Sequence, residues 1–529
     1  METQNATVNW HYSSPQVAAI ISGILCLLAI PLIYNVIFHP LARVPGPFLA
    51  KFNDFWHAYQ LYTNVRHETL CKLHDKYGPL VRLGPSTVSV DTTEGFQKVY
   101  SATSPIDKSP FYQSFTPGFQ SSFSSMGSAY KEKKSILSQA FAQKKLDAME
   151  TAFTEHIWKL CEVMKSQSEV NLDDCLSALT VDILSDVCFG ETFDLLHNPT
   201  EKTKISDGLV QAAKFVSMEG TLWRWPLLQR LIRKFSYNHT TRGYPAKMAM
   251  SAMIKQRQNP SGRQDIFNYL LTAKSPTTGT PFPDRELFGE AIVMFVAGSD
   301  TTSTALLTIL WHLLAHKDAY DKVALEVRST VTTRDDLNYH KIQHLPYLRA
   351  VIEEGLRIFP PNAGFIPRQV FQSDGAFVLH GISMPVGTEV GVANMAMHRN
   401  PKYFERPNDF IPERWIGDGQ SAVKDKSAFS PFSKGPRACL GRTMAYMEMS
   451  LALAAMFLEM DMEFEDPGSE ARQGYTATDS FVLSNWRAFE SLLWWKAAPL
   501  LRSQQSGRGC RSRDWKKAQA MRHVHKNML

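Results

Sequence analysis

Paired cysteines are missing from this sequence. Its 529 residues contain seven cysteines, which are scattered, odd in number and never spaced as CxxC. Disulfide frameworks need an even, dense set of cysteines, and structural zinc sites use closely spaced pairs. A disulfide-stabilised protein and a protein with a structural zinc site are therefore both disfavoured. The simplest interpretation is a catalytic domain that faces a reducing compartment such as the cytosol.

A strong net charge is also missing from most of the chain. The formal net charge is +6, but residues 502–529 carry eight Lys or Arg and one Asp. The preceding chain is thus close to neutral, which argues against a protein that binds nucleic acid. The basic tail itself is predicted to be disordered.

Charged side chains are absent from residues 17–38. A helix of this length spans about 33 Å, which matches the hydrocarbon thickness of a bilayer. A cleaved signal peptide fits less well because no Lys or Arg precedes the run. Arg43 and Lys51 follow it, so the positive-inside rule places residues 1–16 in the lumen and the rest in the cytosol. Asn5 then begins a lumenal glycosylation sequon.

The main feature present is the segment 432–441, with the spacing FxxGxRxCxG. A thiolate at Cys439 can ligate a haem iron and favours O–O cleavage, and N–H groups at the start of a following helix would stabilise it. Glycines let the backbone approach a flat macrocycle, an arginine suits a propionate, and a phenylalanine shields the sulfur. The residues in these roles are Phe432, Gly435, Arg437 and Gly441. A lone cysteine would suggest an ordinary buried thiol, but this spacing resembles the haem-binding signature of the cytochrome P450 family.

The resemblance implies a haem-thiolate monooxygenase that uses haem b, O2 and an apolar small-molecule substrate. Its electrons would come from a membrane-bound NADPH-cytochrome P450 reductase. The fold it implies is mainly α with a small β-rich subdomain, here behind a single N-terminal transmembrane helix. The proline-rich linker is similar to that of fungal microsomal members, which suggests secondary metabolism. The predicted division is a lumenal N-terminus (1–16), a transmembrane anchor (17–38), a proline-rich hinge (39–50), a catalytic domain (51–501) and a basic tail (502–529).

A second motif, Ala-Gly-Ser-Asp-Thr-Thr, occupies residues 297–302 within a predicted helix over residues 287–316. A Thr in mid-helix can turn its hydroxyl to the carbonyl four residues earlier and loosen the helix. We therefore predict that Thr301 holds water and that Asp300 relays protons toward dioxygen. The alternative is a polar stripe on a buried helix, but the motif resembles the family's oxygen-activation motif.

A third motif pairs Glu354 with Arg357, which meet on one face of a predicted helix over residues 346–359. In the family this pair is joined by an arginine from a downstream motif, here Arg414, which precedes Trp415 where the family usually has Phe. A buried triad of this kind can fix one arrangement of the chain. We predict that losing either Glu354 or Arg357 prevents haem incorporation; a surface ion pair is the alternative.

The resemblance also implies further cofactor contacts. Tyr130 and Lys134 stand where the family usually has Trp or His and then Arg; one turn apart, they are predicted to reach a haem propionate. Arg368 resembles the second propionate partner. Residues 104–126, rich in Ser, Pro, Gly and Phe, are predicted to form a loop that covers the substrate; simple packing of its phenylalanines is equally open.

Two surfaces are predicted from charge and aromatic content. Lys434, Arg437 and Arg442 are expected on the face where an acidic redox partner docks. Trp223 and Trp225 suit a membrane interface, where such rings are half wet.

Two other functions stay open. A family member that catalyses desaturation, epoxidation or ring coupling would share all of these motifs. A haem protein that only senses or carries a gas would not need the proton-delivery pair of Asp300 and Thr301. The substrate itself is not encoded in any recognisable motif.

Overall fold

The computed structural model describes residues 17, 19, 22–23, 29–167, 170–239, 243–258, 265–371, 377–417, 423–464, 478–479, 483–484 and 494–499. Helices dominate these residues. The α-helices are α1 (Phe55–Tyr62), α2 (Arg66–Tyr77), α3 (Thr93–Tyr100), α4 (Gly127–Ala140), α5 (Gln143–Asp147), α6 (Glu150–Ser166), α7 (Leu172–Phe189), α8 (Pro199–Thr221), α9 (Pro226–His239), α10 (Tyr244–Gln258), α11 (Ile266–Thr272), α12 (Asp284–Ala315), α13 (Lys317–Thr330), α14 (Tyr339–Ile342), α15 (Pro346–Ile358), α16 (Asn394–His398) and α17 (Arg442–Glu459).

The strands are short and form several small sheets. They are β1 (Leu80–Gly84), β2 (Thr87–Val90), β3 (Ile106–Lys108), β4 (Val170–Asn171), β5 (Arg368–Val370), β6 (Phe377–Leu379), β7 (Ile382–Met384), β8 (Glu389–Val392), β9 (Met460–Phe464), β10 (Thr478–Asp479), β11 (Leu483–Ser484) and β12 (Trp494–Pro499). The largest sheet has the order β1-β2-β8-β5-β3, in which only the β2–β8 pair is parallel.

The long helix α12 runs through the protein core. It has the length and composition to cross a membrane, but 67% of its apolar window is buried inside the protein, as in the core helix of a globular domain. It packs along α7, and Gly298 permits a close approach, since a Cβ there would lie 2.6 Å from Leu184 Cδ1. A helix that is apolar all round is expected in a core of this size.

The segment 104–126 is not a loop throughout, as the sequence had predicted. It contains strand β3 and a 3-10 turn over Pro110–Ser114. Strand β3 forms because it pairs with the neighbouring strand β5. Pairing partners that are distant in sequence supply hydrogen bonds that a Ser- and Pro-rich segment does not supply by itself.

The predicted hinge packs against the large sheet. Leu41 and Val44 within it are fully buried. The buried Arg82 guanidinium donates to the carbonyls of Asn35 at 2.8 Å and Leu41 at 3.2 Å. Side-chain hydrogen bonds therefore hold the end of the segment 17–38 to the domain.

The segment 17–38, predicted to be a transmembrane anchor, is described only in part. Ala29–Phe38 is a short apolar helix, which agrees with the helical prediction for that part of residues 17–38. Asn5 and the basic tail over 502–529 lie outside the described residues.

Candidate active site

A large apolar cavity lies between helix α12 and the cysteine loop. Its empty volume is about 2420 Å³, part of which continues into solvent. Its walls bring together predicted site residues from distant parts of the sequence, namely Tyr130, Asp300, Thr301, Arg368, Phe432, Arg437, Cys439 and Gly441. Lys134 and Gly435 do not line this cavity, and neither does the predicted ion-pair triad. The three main motifs therefore divide into two that face the cavity and one that supports it.

The cysteine loop is closed by a tight approach to helix α3. Gly435 has a φ of +70°, and a Cβ at this position would lie 2.0 Å from the carbonyl oxygen of Tyr100. Only glycine suits both conditions. The Cys439 N–H donates to the Phe432 carbonyl at 2.9 Å and completes the loop. Gly435 thus serves the packing of the loop on Tyr100, a reason different from the predicted approach to a macrocycle.

The Cys439 side chain is exposed to the cavity that it lines. Desolvation by the protein around this cavity raises the pKa of its thiol, while the N–H groups of Gly441 and Arg442 and the Arg442 charge act in the opposite direction. A bound metal ion would decide the balance in favour of the thiolate. Gly441 lies close to the sulfur, since a Cβ there would be 3.9 Å from Sγ, an ordinary van der Waals contact. These features fit a haem iron at Cys439.

Cationic side chains line the same cavity and suit the carboxylates of haem. Arg437 donates to Asp107 at 2.7 Å, and Arg368 donates to the Tyr112 hydroxyl at 2.9 Å. A third cation, Lys108, was missed by sequence reasoning; it is buried on the cavity wall close to both arginines. A signal existed, since Asp107 and Lys108 are the only charged residues in the 104–126 segment.

Tyr130 and Lys134 both contact the cysteine loop. The Tyr130 hydroxyl and the Lys134 ammonium donate to the carbonyl of Pro436, and the Arg437 guanidinium lies 3.4 Å from the centre of the Tyr130 ring. These contacts orient Arg437 toward the cavity. A direct bond from Tyr130 or Lys134 to a propionate stays a prediction.

Arg437 does not contribute to a docking face. Its side chain is 9% exposed and forms an ion pair with Asp107, whereas Lys434 and Arg442 are both exposed. The prediction that Arg437 meets an acidic partner is therefore wrong. The ion pair turns this guanidinium inward, because Asp107 is brought beside it by strand β3.

The predicted hydrogen bond from the Thr301 side chain is present in helix α12, which runs as one continuous α-helix over Asp284–Ala315. The Thr301 hydroxyl donates to the Ala297 carbonyl at 2.8 Å, which is the bond to the residue four earlier that the sequence indicated. Both residues face the cavity. Thr301 is therefore placed with its oxygen available to a second polar group on the cavity side.

Asp300 connects this cavity with a smaller, more polar one. The second cavity, with an empty volume of about 510 Å³, lies between α7, α8 and α12 and includes Asp173 and Lys202. Burial raises the pKa of Asp300 to about 7. Burial, followed by the charges of Asp174 and Asp300, also raises the pKa of Asp173 to about 7. Two carboxyl groups that titrate near neutrality thus line one polar cavity, and sequence reasoning identified only Asp300.

The ion-pair triad is fully buried. Arg357 donates to both carboxylate oxygens of Glu354 at 2.9 Å, and Arg414 donates to one of them at 3.0 Å. The Trp415 indole N–H donates to the other oxygen at 2.9 Å. All three charged side chains are 0% exposed. A surface ion pair is therefore excluded, and the Trp that replaces the family's Phe completes the carboxylate's hydrogen bonds.

A relay of hydrogen bonds connects the triad with the cysteine loop. Arg357 donates to the carbonyl of His398 at 3.0 Å. The backbone N–H of Ser430, two residues before Phe432, donates to the His398 ring at 3.0 Å. Burial is the largest cause of the lowered pKa of His398, about 3, so its ring is a neutral acceptor here. The triad thus fixes the position of the segment that leads into the cysteine loop.

A cysteine that faces an apolar cavity, beside buried cations that suit two propionates, is the arrangement of a haem-thiolate protein. The cytochrome P450 family model matches residues 45–483. Cytochrome P450 monooxygenase AKT7 of Alternaria alternata is 31% identical, over 84% of this chain and 88% of its own length. Trichothecene C-15 hydroxylase of Fusarium sporotrichioides is 30% identical, over 84% of this chain and 91% of its own. The chain belongs to the cytochrome P450 family and is a monooxygenase of that family.

Proposed function

We propose that this enzyme inserts one oxygen atom from O2 into an apolar small molecule in fungal secondary-metabolite biosynthesis. Its electrons would come from NADPH-cytochrome P450 reductase. The observation that carries the proposal is the opening of Cys439 into the same apolar cavity as Asp300 and Thr301. The relatives support it, since both are fungal and one is named a hydroxylase.

Haem b, when bound, supplies the iron chemistry that activates O2. Cys439 is the residue that would hold it, and the N–H groups of Gly441 and Arg442 stabilise negative charge on the sulfur. On the opposite wall, Thr301 can hold a water molecule through its hydroxyl oxygen. The carboxyl of Asp300 can take up and release a proton at neutral pH, because its pKa is close to 7.

The cavity wall supports an apolar substrate. Side chains that face it away from the cysteine loop are mainly apolar, among them Phe115, Phe123, Val216, Ile292 and Ile366. Such a wall favours apolar ligands, with a few polar groups for orientation. Two of these, Phe115 and Phe123, belong to the 104–126 segment, so the segment that was expected to cover the substrate contributes to the wall.

Product analysis in a host that also expresses the reductase tests the proposal. With isotopically heavy O2, the product should gain one heavy oxygen atom in the mass spectrum, and NADPH use should depend on substrate. A product that has lost two hydrogens without gaining oxygen would support desaturation instead. Absence of any substrate-dependent NADPH use would favour the gas-binding alternative.

We further propose that the protein lies in the endoplasmic reticulum membrane with its catalytic domain in the cytosol. An exposed apolar surface supports this. Helix α9 presents Leu227 and Leu231 to solvent, and Trp225 just before it is also exposed, with its ring 4.9 Å from that of Phe55. Such a surface suits the membrane interface.

Vesicle flotation after removal of residues 1–38 tests this second contact. Trp225→Ser, Leu227→Ser and Leu231→Ser together should reduce binding of the truncated protein to lipid vesicles. Leu325→Ser is the control, because Leu325 is 72% exposed, comparable to Leu227 at 75%, but lies on α13. Undiminished binding by the triple variant would contradict the proposal.

A further inference from the structure

A buried carboxylate in the first half of helix α12 binds the segment 104–126. Glu290 is 2% exposed. Its two oxygens accept hydrogen bonds from the backbone N–H and from the hydroxyl of Ser122, the latter at 2.7 Å. Hydrogen bonds to an ionised group are about twice as strong as bonds between neutral groups. One side chain of the helix therefore holds both the backbone and the side chain of Ser122.

The surface of α12 beside this carboxylate also accommodates the segment. A Cβ at Gly289 would lie 2.9 Å from the carbonyl oxygen of Gln120, so the glycine lets the backbone of the segment lie directly on the helix. One turn earlier, Arg285 donates to the carbonyl of Gly118. The segment is thus attached to α12 at several consecutive residues, and the buried carboxylate is at the inner end of this contact.

Lys133 of helix α4 completes the contact. Its ammonium lies 3.5 Å from Glu290 and 2.8 Å from Glu286, and it donates to the Gln120 carbonyl at 3.0 Å. Burial raises the pKa of Glu290, whereas Lys133 and the bonds from Ser122 act in the opposite direction. Glu286, by contrast, is 26% exposed and, among the described residues, is not part of the cavity wall.

The segment held in this way carries part of the cavity wall. Phe115 and Phe123 line the cavity together with Ser122 and Glu290, and the centres of the two phenylalanine rings lie 5.1 Å apart. We propose that Glu290 is a positioning residue that keeps the 104–126 segment closed over the cavity and so controls how fast bulky ligands leave. This inference rests on the proposed binding of an apolar substrate in this cavity, and no sequence motif indicated the residue.

Hydrogen exchange in the full-length holoenzyme tests whether the carboxylate holds the segment. Glu290→Met keeps the length of the side chain and removes both acceptors. We expect the amides of residues 118–124 to exchange about tenfold to a hundredfold faster, as for loss of hydrogen bonds to a charged group. Helix α17 should exchange at the wild-type rate. Glu286→Gln is the matched control, because it removes the other carboxylate that pairs with Lys133, and it should leave exchange in residues 118–124 unchanged.

Release of ligands separates a positioning role from a merely structural one. The probes are imidazole, which is small, and clotrimazole, a bulky imidazole derivative; both bind haem iron through a ring nitrogen. Capture of the reduced iron by carbon monoxide measures the rate at which each ligand leaves. Glu290→Met should release clotrimazole about tenfold faster or more and imidazole at the wild-type rate, with an unchanged unfolding midpoint. Glu290→Gln keeps an acceptor oxygen and should restore most of the slow release.

Two results would overturn the inference: equal release of clotrimazole by wild type and Glu290→Met, or equally accelerated release of both ligands, which indicates general loosening of the fold. If Glu290→Met does not accumulate, Ser122→Ala replaces it. This change removes one of the two bonds to the carboxylate and should release clotrimazole about fivefold faster. An unchanged rate in Ser122→Ala would then reject the positioning role.

The proposed function can fail separately, because neither measurement requires turnover. If the wild-type enzyme shows no substrate-dependent use of NADPH, oxygen insertion fails, while the effect of Glu290 on exchange and on clotrimazole release can persist. If the product gains oxygen but exchange and release do not depend on Glu290, only the positioning role fails.

Discussion

Charged groups have opposite environments behind the cysteine loop and along helix α12. Behind the cysteine loop, Glu354, Arg357 and Arg414 satisfy one another with no exposure. Along helix α12, Asp300 and Asp173 form no ion pair among the described residues, and their pKa values are raised to about 7. Paired charges fix a conformation, whereas unpaired carboxyls near neutrality can exchange protons. The first group of charges therefore stabilises the cofactor site, and the second is suited to chemistry.

The largest expected effect comes from removing the sulfur of Cys439. For Cys439→Ser we expect product formation to fall by more than about 100-fold, beyond the usual range for residues outside the first coordination sphere. The reduced protein with carbon monoxide should lose the red-shifted Soret band. Cys175→Ser is the control, since Cys175 is a free, half-buried thiol that does not line the cavity. Full turnover by Cys439→Ser would refute the thiolate account.

Disrupting the buried ion-pair triad should affect the stability of the fold rather than the catalytic step. Glu354→Gln leaves two buried guanidinium groups without their carboxylate, at a cost of about 3–5 kcal/mol in the free energy of unfolding. Glu68 pairs with Lys72 at the surface of helix α2, where both side chains are exposed, so Glu68→Gln should cost less than about 1 kcal/mol. Urea unfolding and the haem content of the purified protein measure both. A Glu354→Gln protein with normal haem content and midpoint would show that the network is not needed.

Changing the hydroxyl of helix α12 should affect chemistry rather than folding. Thr301→Ala should lower product formed per NADPH roughly tenfold or more and release peroxide instead, because proton delivery is impaired. The unfolding midpoint should stay close to that of wild type. Thr308→Ala on the same helix, outside the cavity wall, should leave the ratio of product to peroxide unchanged. Unchanged coupling in Thr301→Ala would remove the proposed role.

The smallest expected effect concerns pH and Asp173. The pKa of Asp173 in the folded protein, about 7, exceeds the ordinary value of 3.8. Between pH 4 and 7 the folded protein therefore binds more protons at this group than the unfolded chain does. The free energy of unfolding consequently falls as the pH rises through this range. Asp173→Asn should remove part of this fall and raise stability above pH 7 by ~1–2 kcal/mol.

Thermal unfolding from pH 4 to pH 8 measures this effect. Asp461→Asn is the control, because Asp461 pairs with Arg328 at the surface, and it should keep the wild-type pH dependence. Parallel curves for Asp173→Asn and wild type would show that Asp173 titrates normally.

Sequence motifs were sufficient where the chemistry depends on neighbours along the chain. The bond from Thr301 to Ala297 follows from helix geometry, and the pairing of Glu354 with Arg357 follows from their spacing of three. The placement of Cys439 before a helix N-terminus likewise depends only on local order. These features were predicted and are confirmed.

Motifs were insufficient where two distant segments meet. Lys108 becomes part of the site because strand β3 pairs with β5, and the same pairing brings Asp107 to Arg437 and turns that arginine away from the surface. Asp173 meets Asp300 only because α7 packs along α12. None of these contacts has a periodicity that a single sequence reveals.

The sequence by itself predicted the Cys439 loop, the bond from Thr301 to Ala297 and the pairing of Glu354 with Arg357, because each depends on residue type and spacing within one helix or loop. Only the tertiary structure decided which charged side chains are buried in ion pairs, which carboxyl groups have pKa values near 7, and which cationic side chains line the cavity. The reason is physical: burial and long-range pairing set the local dielectric and the neighbouring charges, and both arise only when separate elements pack together.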